Sequence, residues 1–410
     1  MDILSGLRDF IVESPGSFHA VAALQRRLDA AGFTRLRENE RWTLTPGQGY
    51  YVTRNASIVS FRLPAREVNA IHIIASHSDS PSFKLKPDPA LWREGTLRLN
   101  VEGYGGMIRR SWLDRPLSVA GRVLIADGDA LREKLVYVDR DLLLIPSLAI
   151  HLSRDASAPV ETLSVQNELL PLLGLREDGW ARVLGEAAGT APERILGADL
   201  FLTCRAQPSV WGADREFFSA PRLDDLACVY TTLCGFLAAA PAEHIAVHAV
   251  FDNEEVGSRS LQGAESDFLA ATLRRACRAL ALDDEGFAAL LADSFLVSAD
   301  NAHALHPNYA GRYDPVNRPQ LNGGIVLKHQ AGQRYTTDAV SEALLRSVCR
   351  RCGVPVQDYA NHADVPGGST LGNISVTQLS VRSVDVGLPQ LAMHAAYETM
   401  GAQDAQAMAD

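Results

Sequence analysis

Apolar residues recur at helical spacing through SPGSFHAVAALQRRLDAAGF. Val21, Leu24 and Leu28 would share one face, with Ser14 or Ser17 capping the start and Gly32 the end. The pattern then changes. YYVTRNASIVSFRLP and NAIHIIASHSDSP are β-branched and apolar and end in turn residues, which predicts strands. IHIIAS is apolar on both faces, as a central strand covered on both sides would be. From about Pro87 to Glu216 the texture is short strand-like pieces, among them GTLRLNVEGYGG, LSVAGRVLIA and GADLFLTCRAQ. VDRD, within EKLVYVDRDLLLIPSLAIHL, reads as a hairpin connection, and helical signal is confined to LLPLLG and GWARVLGEAAG. From Phe217 the alternation returns: helix in LDDLACVYTTLCGFLAAA, strand in HIAVHAVFD, helix in SDFLAATLRRACRALAL, strand in DSFLVSAD. TTDAVSEALLRSVCRRCG predicts a helix, VRSVDVGLP a strand, and LAMHAAYETMGAQDAQAMA a closing helix. Alternating strands and helices interrupted by a β-rich module predict an α/β core with helices on both faces of its sheet. That core would comprise 1–86 and 217–410, with 87–216 inserted.

A chain of 410 residues is long for one hydrophobic core, which agrees with that division. The net charge of −10 argues against a nucleic-acid partner, because phosphate binding needs a basic face. No signal-peptide pattern or membrane-length apolar run is evident, so a cytoplasmic, membrane-free protein is expected. The cysteines are few for this length, which implies reduced thiols. Cys349 and Cys352 form an isolated C-x-x-C, better read as two small residues on a helix than as a zinc ribbon.

Chemistry in α/β sheets gathers at the carboxyl ends of strands. Those ends here present His77 and Asp79, the pair Glu254 and Glu255 behind Asp252 and Asn253, and Asp300; His394 follows the last strand at an expected helix start, and Asp224 and Asp225 open another helix. His72, His244 and His248 are expected in the core and His19 on the surface. Imidazoles and carboxylates without cysteine form a ligand set for hydrolytic zinc, with cobalt or manganese as alternatives. So many candidates suggest two divalent cations sharing a carboxylate and a water. Adjacent glutamates point apart, so one could bind metal while the other takes a proton from water. Spacing leaves Asp224 and Asp225 as equal candidates for the shared position.

ASHSDSPSFKLKP, SAPRLDDL, DNEEVGS, SADNAHALHPNY, GQRYTTDAVSEALL and LPQLAMHAAYE together resemble the aspartyl aminopeptidase family of dinuclear metallo-aminopeptidases. LLLIPSLAIHL and NELLPLLG resemble it too. The resemblance implies a mixed sheet flanked by helices and a dimerisation role for the inserted domain. It implies that His77 and Asp300 bind one metal, Glu255 and His394 the other, and Asp224 both. Glu254 would be the general base and Asp79 would orient His77. His151 would enter the partner subunit's site, and Lys328 and His303 would line the pocket for an acidic first residue of the peptide substrate. Dimers would assemble into a dodecamer. NHADVPGGSTLG departs from the usual loop of that family, although His362 and Asp364 keep it polar and 367–370 offers backbone donors. A related carboxypeptidase or deacylase is the enzymatic alternative, separable with N-blocked and C-blocked dipeptides. An inactive shell-forming protein is the other alternative, and it would lack some of these ligands.

Overall fold

The computed structural model describes residues 2–152, 163–240, 243–365 and 367–410. Among them a nine-stranded mixed sheet runs in the order Thr34–Arg35, Gly49–Arg54, Ser57–Arg62, His244–Phe251, Ala70–His77, Phe295–Ala299, Arg382–Gly387, Ile325–His329, Val356–Ala360. The four strands from His244–Phe251 to Arg382–Gly387 are mutually parallel, and Ser57–Arg62 and Ile325–His329 flank them antiparallel. Register brings the chemistry together. Phe251 lies opposite His77, and Ser298 opposite Ala75, so the residues following these strands leave the sheet along one edge.

Both sheet faces are covered, which is why its central strands can be apolar on both sides. Leu7 and Ile11 of helix Ile3–Glu13, Leu24 and Leu28 of Ser17–Ala30, and Leu226, Val229 and Leu233 of Leu223–Ala238 pack on one face. Phe268 and Leu273 of Phe268–Ala279, Phe287 of Asp284–Ala292, and Leu371 of Leu371–Gln378 pack on the other. At Gly387 an added Cβ would lie 2.0 Å from the carbonyl oxygen of Asp300, so only glycine allows the two strands to end this close together.

A second, six-stranded sheet contains Ala130–Tyr137, Leu117–Asp127, Ile195–Cys204, Ser82–Arg93, Thr96–Tyr104 and Leu172–Gly174. It has its own core, including Phe83, Leu99, Val119 and Trp180, the last from helix Gly179–Ala188. No helix among the described residues is long and apolar enough to cross a membrane.

Several local expectations are corrected. The hairpin closes at Asp127–Ala130, with Gly128 at φ +63°, and not at VDRD, after which Leu143 still bridges to Leu117 in the same antiparallel sense. Leu172–Gly174 is an edge strand, not part of a helix. The closing segment is helical only over Asp404–Ala409. Before it, Pro389–Leu391 and Glu398–Gly401 are strands of a third sheet, in which Ala220 faces Glu398. His394 therefore sits in a turn at φ +68°, a conformation no α-helix contains. Helix-favouring alanines lose there to sheet pairing and to the buried contacts of Glu398. His72 is exposed and its ring lies tilted against that of the half-buried His244, with centroids 4.0 Å apart. His19 is half-buried against Tyr137. His248 is a core histidine, as expected, hydrogen-bonded to Thr232.

Candidate metal centre

His77 ends its strand fully enclosed, and its two ring nitrogens face different partners. Nδ1 lies 3.1 Å from the carbonyl oxygen of Asp79 and 3.5 Å from its Oδ1. That side accepts, so Nδ1 donates there. Nε2 faces Asp224 Oδ1 at 3.4 Å. His394 repeats the arrangement. Its Nδ1 donates to the carbonyl oxygen of Gly106 at 2.7 Å, and its Nε2 faces Asp224 Oδ2 at 3.5 Å and Glu255 Oε2 at 3.4 Å. Each Nδ1 is thus tied to a carbonyl oxygen, so Nε2 is the nitrogen that a cation would take in place of its proton.

The ligand-type atoms fall into overlapping groups, each within 4.8 Å: His77, Asp224, Asp225 and Asp300; His77, Glu254 and Glu255; Asp224, Glu255 and His394. Asp224 offers one oxygen to the His77 side and the other to the His394 side, which is the placement a shared ligand needs. Asp225 is also buried in the first group, but its Oδ2 already accepts the backbone N–H of His77 at 3.2 Å. Another group, His329, Glu342 and Asp358, has its charge met by Arg346, which pairs with both acids.

The electrostatics of the centre are those of excess negative charge. Burial pushes Glu254 up to about 8 against the pull of His77, and Asp300, Asp79 and Asp224 add to the rise. Burial likewise raises Glu255, Asp225 and Asp300, with Asp224 adding to each. Burial works against protonation of His394, yet Asp224 and Glu255 carry it up to about 10. Asp224 itself is held low, despite burial, because both imidazoles face it. Buried oxygens Asp224 Oδ1, Asp225 Oδ1 and Glu255 Oε1 have no hydrogen-bond donor. Leaving such oxygens unmet costs several kcal/mol per ion as a rough figure. Histidine nitrogens, carboxylate oxygens and unmet charge all fit divalent cations of the zinc type.

His77, Asp224, Glu254, Glu255, Asp300 and His394 line a cleft of ≈ 360 Å³ together with His303, Lys328, Tyr335 and Thr370. Lys328 is 3% exposed; its Nζ donates to the carbonyl oxygen of Asn301 at 2.8 Å and lies 3.5 Å from Asp300 Oδ1. Burial, with Lys328 beside it, pushes His303 down to about 4, so the ring is neutral. Gly368, Ser369 and Thr370 border the cleft from the loop that precedes helix Leu371–Gln378. Of the expected site residues, Asp79 stands behind His77 and does not line the cleft, and His151 lies apart from the constellation altogether. It lies exposed in the short turn Ile150–Leu152 and does not line the cleft.

Two residues in the surrounding shell have no sequence signal of their own. Tyr104, from the second sheet, donates its hydroxyl to Asp79 Oδ2 at 2.6 Å and accepts from Asn253 at 2.9 Å. Asp79 in turn accepts the backbone N–H groups of Glu254 at 3.1 Å and Glu255 at 3.2 Å. Asp79 therefore meets His77 with its carbonyl oxygen and holds the backbone of the glutamate pair with its carboxylate. Glu398, the other, contacts the backbones of Asp224 and His394.

A family model described as "Aminopeptidase I zinc metalloprotease (M18)" matches residues 10–409. The "Probable M18 family aminopeptidase 2" of Clostridium novyi (strain NT) is 42% identical, over 97% of this chain and 94% of its own. The protein of the same description from Pseudomonas paraeruginosa is 39% identical, over 98% of this chain and 95% of its own. Among solved structures, a chain of the Ape4 and Nbr1 complex matches with a TM-score of 0.94 and 36% identity, covering 100% of this chain and 84% of that one. The S. cerevesiae mApe1 dodecamer matches with a TM-score of 0.87 and 26% identity, covering 100% and 94%.

Tyr104→Phe removes one hydroxyl and little volume. It should weaken zinc binding by up to about 10-fold, the lower end of what losing a partner around a ligand costs, because Tyr104 acts on His77 and Glu255 only through Asp79. Competition with a chromogenic chelator measures this. Unchanged affinity would show that Asp79 is oriented without Tyr104.

Proposed function

The chain belongs to the M18 family of zinc metallo-aminopeptidases, and from that premise we propose that it uses two divalent cations to remove N-terminal aspartate or glutamate from peptides. One observation carries the reading: His77, Asp300, Asp224, Glu255 and His394 converge into groups that share Asp224, with Glu254 beside them in the same cleft.

In this reading His77 and Asp300 would hold one cation, Glu255 and His394 the other, and Asp224 would serve both. Zinc bound there would polarise the scissile carbonyl, acidify the attacking water and stabilise the oxyanion of the addition step. Glu254 takes a proton from that water as its oxygen adds to the carbonyl carbon. It then passes the proton to the departing amine nitrogen as the C–N bond breaks. Asp79 keeps Glu254 in place through the backbone bond at 3.1 Å. Lys328, buried in the cleft wall, supplies the cation that an acidic substrate side chain needs amid so many carboxylates, and His303 borders the same space.

The protein acts as an assembly of its own copies. Leu148, Ile150 and Leu152 are 66%, 65% and 72% exposed, an apolar run that water disfavours and a partner subunit would cover. Residues 87–216 serve as the pairing module, His151 beside this run reaches the partner's cleft, and dimers build a dodecamer, a dodecamer being the form of the mApe1 neighbour. Free cysteines suit the reducing cytoplasm.

Glu254→Gln should bind zinc like the native protein and lose most turnover; near-full activity at full zinc occupancy would remove Glu254 as the base. Lys328→Met should lower turnover of aspartyl and glutamyl substrates by about 10- to 150-fold more than of alanyl or leucyl ones, the worth of one charge-assisted contact. Lys328 also neutralises Asp300, and an equal loss on all four substrates would mean that this is its whole role. Mixing inactive His151→Phe with inactive Glu254→Gln should restore activity through hybrid pairs. No recovery despite demonstrated subunit exchange would refute a site shared between subunits.

A further inference from the structure

Asp224 and His394 face each other across the candidate centre, yet they come from distant parts of the chain and from irregular backbone. Asp224 stands at the start of helix Leu223–Ala238 with φ −82° and ψ 104°, outside helical values. His394 occupies a turn at φ +68°. Neither conformation belongs to a regular hydrogen-bonded ladder, so each residue's backbone N–H needs an acceptor from elsewhere.

Glu398 supplies both acceptors. Its Oε2 accepts the N–H of Asp224 at 3.0 Å and its Oε1 accepts the N–H of His394 at 2.7 Å. The residue is 1% exposed and anchored in the strand Glu398–Gly401, whose register sets Glu398 opposite Ala220, four residues before Asp224. A ring of contacts results: Asp224 backbone, Glu398 carboxylate, His394 backbone, His394 imidazole, and back to the Asp224 carboxylate at 3.5 Å. Glu398 belongs to none of the ligand groups and does not line the catalytic cleft; it borders a separate cavity of ≈ 230 Å³ that Asp224 also touches.

We propose that Glu398 is a positioning residue that sets the distance between Asp224 and His394, and so builds the cation site these two share with Glu255. The proposal rests on the cation-binding role assigned to those residues. The two oxygens of the Glu398 carboxyl group meet one backbone N–H each. A glutamine would turn an N–H toward one of the backbone N–H groups and release that side of the ring. An aspartate keeps two acceptors on an arm one methylene shorter.

Chelator-stripped native protein, Glu398→Gln, Glu398→Asp and His394→Ala, each titrated with zinc chloride by calorimetry, test the idea. The native protein should show two binding events and His394→Ala should lose one of them. Glu398→Gln should weaken that same event by about 10- to 100-fold, the usual effect of losing an outer partner of a ligand, and leave the other near native. Glu398→Asp should fall between the two, and it decides the matter if the glutamine variant does not fold. Titration of both folded variants like the native protein would overturn the proposal. Equal weakening of both events would also overturn it, by reducing Glu398 to a general structural role. Absence of zinc binding by the native protein would overturn the cation reading itself, a different result from either.

Discussion

Carboxylates that approach within 4.8 Å of one another away from water repel strongly, and the design of this protein follows from containing that repulsion. The parallel strands force the approach, because their register ends His77, the Asp252–Glu255 run and Asp300 along one edge. Lys328 and the two imidazoles offset part of the charge. Zinc ions would offset the rest, and the unmet oxygens of Asp224, Asp225 and Glu255 mark where it remains.

Containment also needs rigid geometry, and much of it comes from outside the main sheet. Tyr104 and Gly106 lie at the end of the second sheet's Thr96–Tyr104 strand, and they hold Asp79 and His394 respectively. Gly105 between them takes φ +74°, and a Cβ there would lie 3.1 Å from that of Glu255. Glu398 ties His394 to Asp224 from the third sheet. The β-rich module thus contributes to the centre within its own chain, whatever it does between subunits.

Candidate residues at strand ends are legible in the sequence because an apolar run that stops at a polar cluster announces both the strand and its exit. His77, Asp79, Glu254, Glu255 and Asp300 all follow that rule, and Lys328 follows it at the end of GIVL. Asp224 and Asp225 are not separable by spacing, since adjacency says nothing about which oxygen faces which imidazole. The turn at His394 is hidden by alanines that favour a helix, and with it the strand that carries Glu398. Tyr104 is silent because its role depends on a contact with Asp79, which is remote in sequence and lies on another sheet. His151 acquires a role only through family resemblance, for within one chain it touches nothing in the cleft.

This carboxylate and imidazole cluster should work only when divalent cations relieve its charge. Back-titration of chelator-stripped protein with zinc, following hydrolysis of an aspartyl substrate against metal bound per chain, tests it most directly. Activity should be absent at the start and reach its plateau at about two equivalents, the occupancy of a shared-carboxylate site. Full hydrolysis by the stripped protein, or a plateau at one equivalent, would contradict the account.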